Sequence, residues 1–277
     1  MPTQMLLVID VGNTHTVIGC FKGRELNANW RVATQRRATA DELASKISNL
    51  FQLGGVTLGD IEAVAIASVV PTVTASLLDM STNILKKEIL IVGPEMDAGL
   101  PILYDNPQEV GADRIANAVA GFELYGAPLI VVDFGTATTF DAVTERGEYL
   151  GGAIAPGVEV SSEALFSHAA RLSRVDLNPP KAAIGKNTRG SIQSGVIIGT
   201  GGLVDRIVDR FEDEMGLVKQ VVATGGLAGL IAPECRRVTA VDPTLTLTGL
   251  QRIYERSKEP EAKSRKPREK QETQNIN

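Results

Sequence analysis

The sequence predicts an α/β protein built as two duplicated lobes, and three observations carry that prediction. Four-residue apolar runs, Leu6 to Ile9 and Leu129 to Val132, read as buried strands. Each is followed by a turn that opens on Asp and contains Gly: Asp10-Val11-Gly12-Asn13-Thr14, and Asp133-Phe134-Gly135-Thr136-Ala137-Thr138. An offset of 123 residues superimposes Asp10 on Asp133, Gly12 on Gly135 and Thr16 on Thr139. Repeats of roughly 20–50 residues mark solenoids, so a repeat this long marks a duplicated domain. Two such lobes meeting face to face put both Asp-containing turns on one cleft.

The elements follow in order. After Leu6 to Ile9, Thr16 to Phe21 reads as a second strand and Leu26 to Val32 as a third, an antiparallel meander. Thr39 and Glu42 have the spacing of a capping box, so a helix is expected from there towards Phe51. Ala63 to Ser68 is a further strand, Pro71 opens a helix ending near Lys87, and Ile89 to Val92 is the next strand. A helix over Ile115 to Leu124 closes the first half. In the second half, Thr139 to Val143 and Tyr149 to Ile154 are strands joined at Arg146-Gly147-Glu148. Helices are expected over Ser161 to Ala170 and Ser191 to Met215, then a strand at Val221 to Ala223. Thr224-Gly225-Gly226 opens another helical stretch, and Pro243 to Tyr254 makes the last helix. The expected units are residues 1–126, 127–257 and a polar tail, 258–277.

That tail holds six basic and four acidic residues, too little apolar surface to order itself. It carries +2 of the whole chain's −5, leaving −7 on the body of this 277-residue protein. An acidic body argues against a nucleic-acid binder, which would show a basic patch. It leaves phosphate ligands open, because backbone N–H groups bind anions without net positive charge. No apolar run reaches the roughly 18 residues of a membrane span, and the N-terminus lacks a signal-peptide pattern, so a cytoplasmic protein is expected. Cys20 and Cys235 lie far apart and read as reduced thiols; with His15 and His168 they are too few for a zinc site. A metal here is expected to be oxygen-ligated.

Chemistry concentrates in a few segments. In the first turn Gly12 permits close backbone approach or positive φ, Asn13 and Thr14 offer polar groups to a phosphate, and Asp10 suits a magnesium ion or its waters. Asp, Gly and Asn also make ordinary hairpin turns, but recurrence at Asp133 favours phosphate binding. Thr224-Gly225-Gly226 is either a third ligand-facing turn, offering helix N-terminal N–H groups, or a tight strand-to-helix connection. Asp113 and Arg114 fall in the first turn of the helix after Asn106-Pro107-Gln108-Glu109-Val110-Gly111-Ala112. The helix dipole explains Asp113 there but opposes Arg114, which calls for an anionic ligand or a partner carboxylate. Asn187-Thr188-Arg189-Gly190 reads as a polar loop with Thr188 or Ser191 as helix N-cap.

Together these blocks, with Asp133 to Asp141 and Gly151-Gly152-Ala153-Ile154-Ala155-Pro156-Gly157, resemble the type III pantothenate kinases, and they occur in family order across residues 6–255. The resemblance implies two ribonuclease-H-like lobes of the actin, hexokinase and Hsp70-like ATPase superfamily, with mixed sheets flanked by helices. It implies transfer of the ATP γ-phosphoryl to the primary hydroxyl of pantothenate, the first step towards coenzyme A. By that resemblance Asp113 is the general base; Tyr104, Gly111, Ala112, Asp113, Arg114 and Thr188 hold pantothenate. ATP is bound by Asp10, Val11, Gly12, Asn13, Thr14, His15, Thr16, Val17 and Thr136. Asp133 holds potassium or ammonium, magnesium accompanies ATP, and the protein is a homodimer with its pocket near the interface. A non-catalytic accessory protein of the same fold is the alternative, which an intact Asp113 disfavours.

Overall fold

The computed structural model describes residues 4–169 and 172–259. Its two five-stranded sheets share one topology. In the first, β1 (Met5–Val11), β2 (His15–Lys22), β3 (Glu25–Ala33), β4 (Ile61–Ser68) and β5 (Glu88–Ile91) lie in the order β3-β2-β1-β4-β5. In the second, β6 (Leu129–Phe134), β7 (Ala137–Val143), β8 (Tyr149–Pro156), β9 (Gln220–Thr224) and β10 (Ala240–Val241) repeat it as β8-β7-β6-β9-β10. In each, the first three strands pair antiparallel and the last two run parallel to the first. The sheets are therefore mixed, as expected of duplicated α/β lobes.

Among the described residues seven α-helices form three helical layers around the two sheets: α1 (Ala40–Leu53), α2 (Pro71–Asp79), α3 (Ala112–Tyr125), α4 (Val158–His168), α5 (Thr188–Met215), α6 (Ala228–Ile231) and α7 (Leu245–Lys258). Strand periodicity sorts the side chains. Leu7, Ile9 and Val11 of β1 pack outward against α1 and α2. Ile130, Val132 and Phe134 of β6 pack outward against α4, α5 and α6. The alternate residues, Leu6 and Val8 in one lobe and Leu129 and Val131 in the other, share a central core with α3 and α7. Period two then puts Asp10 and Asp133 on those same inner faces, at the strand ends. Helices α3 and α7 approach closely because Gly249 has no side chain; a Cβ there would lie 1.9 Å from the Ala116 carbonyl oxygen.

Several local expectations hold. Thr39 caps α1 in a capping box: the Thr39 N–H donates to Glu42 at 2.8 Å, and the Glu42 N–H donates to Thr39 Oγ1 at 3.3 Å. Others need correction. The 123-residue offset does not survive the turn. Val11 pairs with Thr16 but Phe134 pairs with Thr138, so the second hairpin is one residue shorter and the counterpart of Thr16 is Thr138. The helix from Pro71 ends at Asp79 and widens into a π-turn, Met80–Leu85, closed by Lys86 at φ 53. Asn187, not Thr188 or Ser191, caps α5, its side chain accepting from the Gly190 N–H at 2.8 Å. Helix α4 begins three residues early, at Val158, and β10 has no clear signal in two residues. Helix α7 continues through Lys258, which pairs with Glu88 of β5. Ala170 and the remaining tail, 260–277, lie outside the described residues.

Candidate active site

A cleft of about 510 Å³ opens between the lobes. Its lining takes Asp10, Gly12, Asn13, Thr14, His15 and Val17 from the first hairpin, and Asp133 to Ala137 and Thr139 from the second. Asp113 reaches it from the N-terminus of α3, and Thr224 to Leu227 line its far side. The repeated turns thus meet in one place, and Thr14 and Thr136 touch across it, Oγ1 to Oγ1 at 2.9 Å. The same pleat takes two predicted residues elsewhere. Val11 is buried in the outer core and Thr16 bonds Thr34 on that face, so neither side chain enters the cleft. The pleat turns alternate side chains away, which a contiguous sequence block conceals.

Three half-buried carboxylates, Asp10, Asp113 and Asp133, converge in this space. Burial, then repulsion from Asp113 and Asp133, raises the Asp10 carboxyl well above the usual carboxylate range, with Arg31 opposing. Burial and Asp113 push Asp133 up to about 6, opposed by a hydrogen bond from Asn117 and by Arg31. Asn117 Nδ2 donates to Asp133 Oδ2 at 3.0 Å, and Thr246 of α7 donates to Asn117 Oδ1 at 2.7 Å. The two central helices therefore orient this carboxylate. Asp113 is anchored by its own helix: Oδ1 accepts the Arg114 N–H at 2.9 Å.

Asn117, Thr246 and Arg31 escape the sequence motifs. Asn117 was findable, lying four residues beyond Asp113 and so on the same helical face. Thr246 and Arg31 enter from distant elements and carry no local signal.

Gly225 fits its turn for two reasons. Its φ is +91°, and a Cβ would lie 2.3 Å from Asp133 Oδ1 and 2.7 Å from the Phe134 nitrogen. The Gly225-Gly226 turn thus packs directly on β6. The helix it leads to has only four residues, so the expected N-terminal dipole site is weak.

Arg114 has the partner carboxylate that its place in the helix calls for. Its Nε donates to Asp141 Oδ1 at 2.8 Å, both side chains being buried, and Tyr149 OH donates to the same oxygen at 2.7 Å. Burial raises Asp141 to about 7, while Arg114 and the Tyr149 hydrogen bond pull it down. Arg114 Nη2 is buried without a partner. Tyr104 packs over Gly151 and lies 6.4 Å from the Tyr149 ring, beside this pair. Gly111 and Ala112 lead into α3, as N-cap and first residue. Thr188 is exposed on the first turn of α5 and does not line the cleft.

Residues 6–210 match the family model for type III pantothenate kinases. The chain belongs to the type III pantothenate kinase family. It is 54% identical over 253 residues to the type III pantothenate kinase of Moorella thermoacetica, covering 91% of this chain and 100% of that one. It is 53% identical over 255 residues to that of Geobacter sulfurreducens, covering 92% and 100%. Two solved structures share the fold. One is a Baf family protein from Campylobacter jejuni, with TM-score 0.58, 19% identity, and coverage of 91% and 98% of the two chains. The other is component A of (R)-2-hydroxyglutaryl-CoA dehydratase from Acidaminococcus fermentans, with TM-score 0.54, 16% identity, and coverage of 90% and 96%. The two lobes of this chain meet at the cleft that holds the half-buried Asp10, Asp113 and Asp133.

The donors in that cleft suit hard cations. Asp10, Asp113 and Asp133 all offer oxygen, and burial, then mutual repulsion, raises Asp10 and Asp133, a cost that a cation beside them would offset. Among the described residues no cluster of three or more His, Cys, Asp or Glu side chains forms a preformed metal cage. One or two carboxylates completed by phosphate oxygens and water is the set that magnesium usually takes with a nucleotide.

Proposed function

We propose that this protein phosphorylates pantothenate with ATP, giving 4′-phosphopantothenate, and thereby begins coenzyme A synthesis. The observation that carries the reading is the meeting of Asp113 with both Asp-containing turns in one interlobe cleft. ATP lies along the first hairpin, its phosphates against Gly12 to Thr14 and Thr136. Asp113 orients the pantothenate hydroxyl through Oδ2 while Oδ1 stays anchored to its helix. The hydroxyl oxygen forms a bond to the γ-phosphorus as the bond from that phosphorus to the bridging oxygen breaks, and ADP leaves. Asp113 takes the hydroxyl proton as transfer proceeds. Such chemistry needs positioning and charge stabilisation more than a strong base.

Asp10 holds magnesium with ATP, and Asp133, steadied by Asn117, holds potassium or ammonium; these cations supply charge neutralisation for the phosphates. Tyr104, Gly111, Ala112 and Arg114 hold pantothenate. Thr188, which does not line the cleft in one chain, belongs to the same pocket in a homodimer. The exposed apolar side chains of Leu103 and Leu150, next in sequence to Tyr104 and to the Gly151 it packs over, support a second copy there. A cytoplasmic setting is in keeping with the absence, among the described residues, of any helix long and apolar enough to cross a membrane.

The test supplies purified protein with ATP, magnesium and pantothenate, with potassium or sodium as the only monovalent cation. Phosphopantothenate is expected with potassium. Its absence there overturns the kinase reading, and equal rates with sodium remove Asp133 from the cation role.

A further inference from the structure

The cleft is acidic, yet one arginine enters it from an element that no motif covers. Asp10 pairs with Val17 across β1 and β2, and Val17 pairs with Arg31 across β2 and β3. Asp10, Val17 and Arg31 thus form one cross-strand row on one face of the sheet, and all three line the cleft. The duplicated lobe has the equivalent row Asp133, Thr139 and Ile154. Arginine stands in the first lobe where the second has an exposed isoleucine, so sheet geometry alone does not demand a cation there. Among the described residues Arg31 is also the one Lys or Arg in the lining.

Its guanidinium crosses to the other lobe. A Cβ on Gly226 would lie 2.7 Å from Arg31 Nη1, which sets the cation against the Gly225-Gly226 turn. Among the described residues Arg31 makes no side-chain hydrogen bond and no ion pair within 4.0 Å, although four carboxylates, Asp10, Asp113, Asp133 and Glu159, line its cleft. A planar fork of donors left unpaired between two lobes is suited to phosphate oxygens.

We propose that Arg31 is a catalytic residue that binds the γ-phosphoryl oxygens of the nucleoside triphosphate and neutralises their charge during transfer. The assignment rests on the kinase reading above. Because Arg31 belongs to one lobe and lies against the other, it also ties closure of the cleft to the presence of the third phosphate.

The test uses the full chain with Arg31→Met and Arg31→Lys. Binding of ATP and of ADP, each with magnesium, is measured by calorimetry without pantothenate, so it is read independently of the acceptor's identity. Arg31→Met is expected to weaken ATP binding about tenfold and ADP binding less than twofold. Turnover is expected to fall roughly 10²–10³-fold, the range for loss of a transition-state charge donor, with the pantothenate KM and the melting temperature nearly unchanged. Arg31→Lys, which keeps charge but loses the fork, should fall between. Equal losses of ATP and ADP affinity, or turnover within threefold of wild type in Arg31→Met, would overturn the assignment. Failure of wild type to phosphorylate pantothenate, with the ATP-over-ADP difference intact, would instead sink the acceptor and leave Arg31 in place.

Discussion

Thr14 and Thr136, 122 residues apart in sequence, share a hydrogen bond of 2.9 Å between their hydroxyls. They occupy the turns of the two duplicated hairpins, so each copy of the repeat touches the other there. The bond joins the lobes where the triphosphate is to lie. An exposed neutral hydrogen bond contributes only about 0.5–1.5 kcal/mol. Thr136→Val should therefore move the urea unfolding midpoint little. It should raise the KM for ATP about fivefold, from loss of about 1 kcal/mol of binding. Unchanged steady-state kinetics would show that the threonine pair only spaces the lobes.

Asp113→Asn keeps the size of the side chain and an oxygen able to accept the Arg114 N–H. Turnover should fall roughly 10²–10⁴-fold, the usual contribution of a positioned acid–base group, with thermal unfolding unchanged. Near-normal rates in that variant would reject Asp113 as the base.

The raised Asp133 carboxyl has a stability consequence with a definite sign. Its folded value, about 6, lies above the 3.8 of an unperturbed Asp, so between those values the folded state holds the proton more tightly. Its stabilising contribution is complete below 3.8 and is lost as pH rises through 6. Asp133→Asn, which cannot ionise, should gain stability relative to wild type across that window and hold the gain above it. Urea unfolding in buffers free of potassium, ammonium and magnesium measures this. A difference constant from pH 4 to pH 8 would refute it.

Gly249→Ala places a methyl group 1.9 Å from the Ala116 carbonyl oxygen, where α3 and α7 meet. Overpacking of this kind costs about 1–3 kcal/mol. Turnover should drop as well, because α3 carries both Asp113 and Asn117. Gly202→Ala is the control: it lies exposed in α5, with nothing within 4 Å of an added Cβ. It should stabilise by about 0.4–1 kcal/mol. Similar calorimetric melting temperatures for the two variants would show that the helix contact is not tight.

Much of this protein is legible in one dimension. Apolar runs, capping residues and turn chemistry act over a few neighbours, so β1, β6, the Thr39 cap of α1 and the duplication itself can be read directly. So can Asp10, Asp133 and Asp113, because each sits in a local pattern. What depends on two distant segments cannot be read in this way. The pleat decided that Val11 and Thr16 face the outer core while Asp10 faces the cleft. The missing residue in the second hairpin appeared only through strand pairing, since an offset that fits both sides of a turn looks continuous in sequence. Arg114 needed a carboxylate from its position on the helix dipole, but only packing against β7 decided that Asp141 supplies it. Arg31 had no signature at all. A cross-strand row brought it to the acidic cleft, because contacts between strands are set by register and not by distance along the chain.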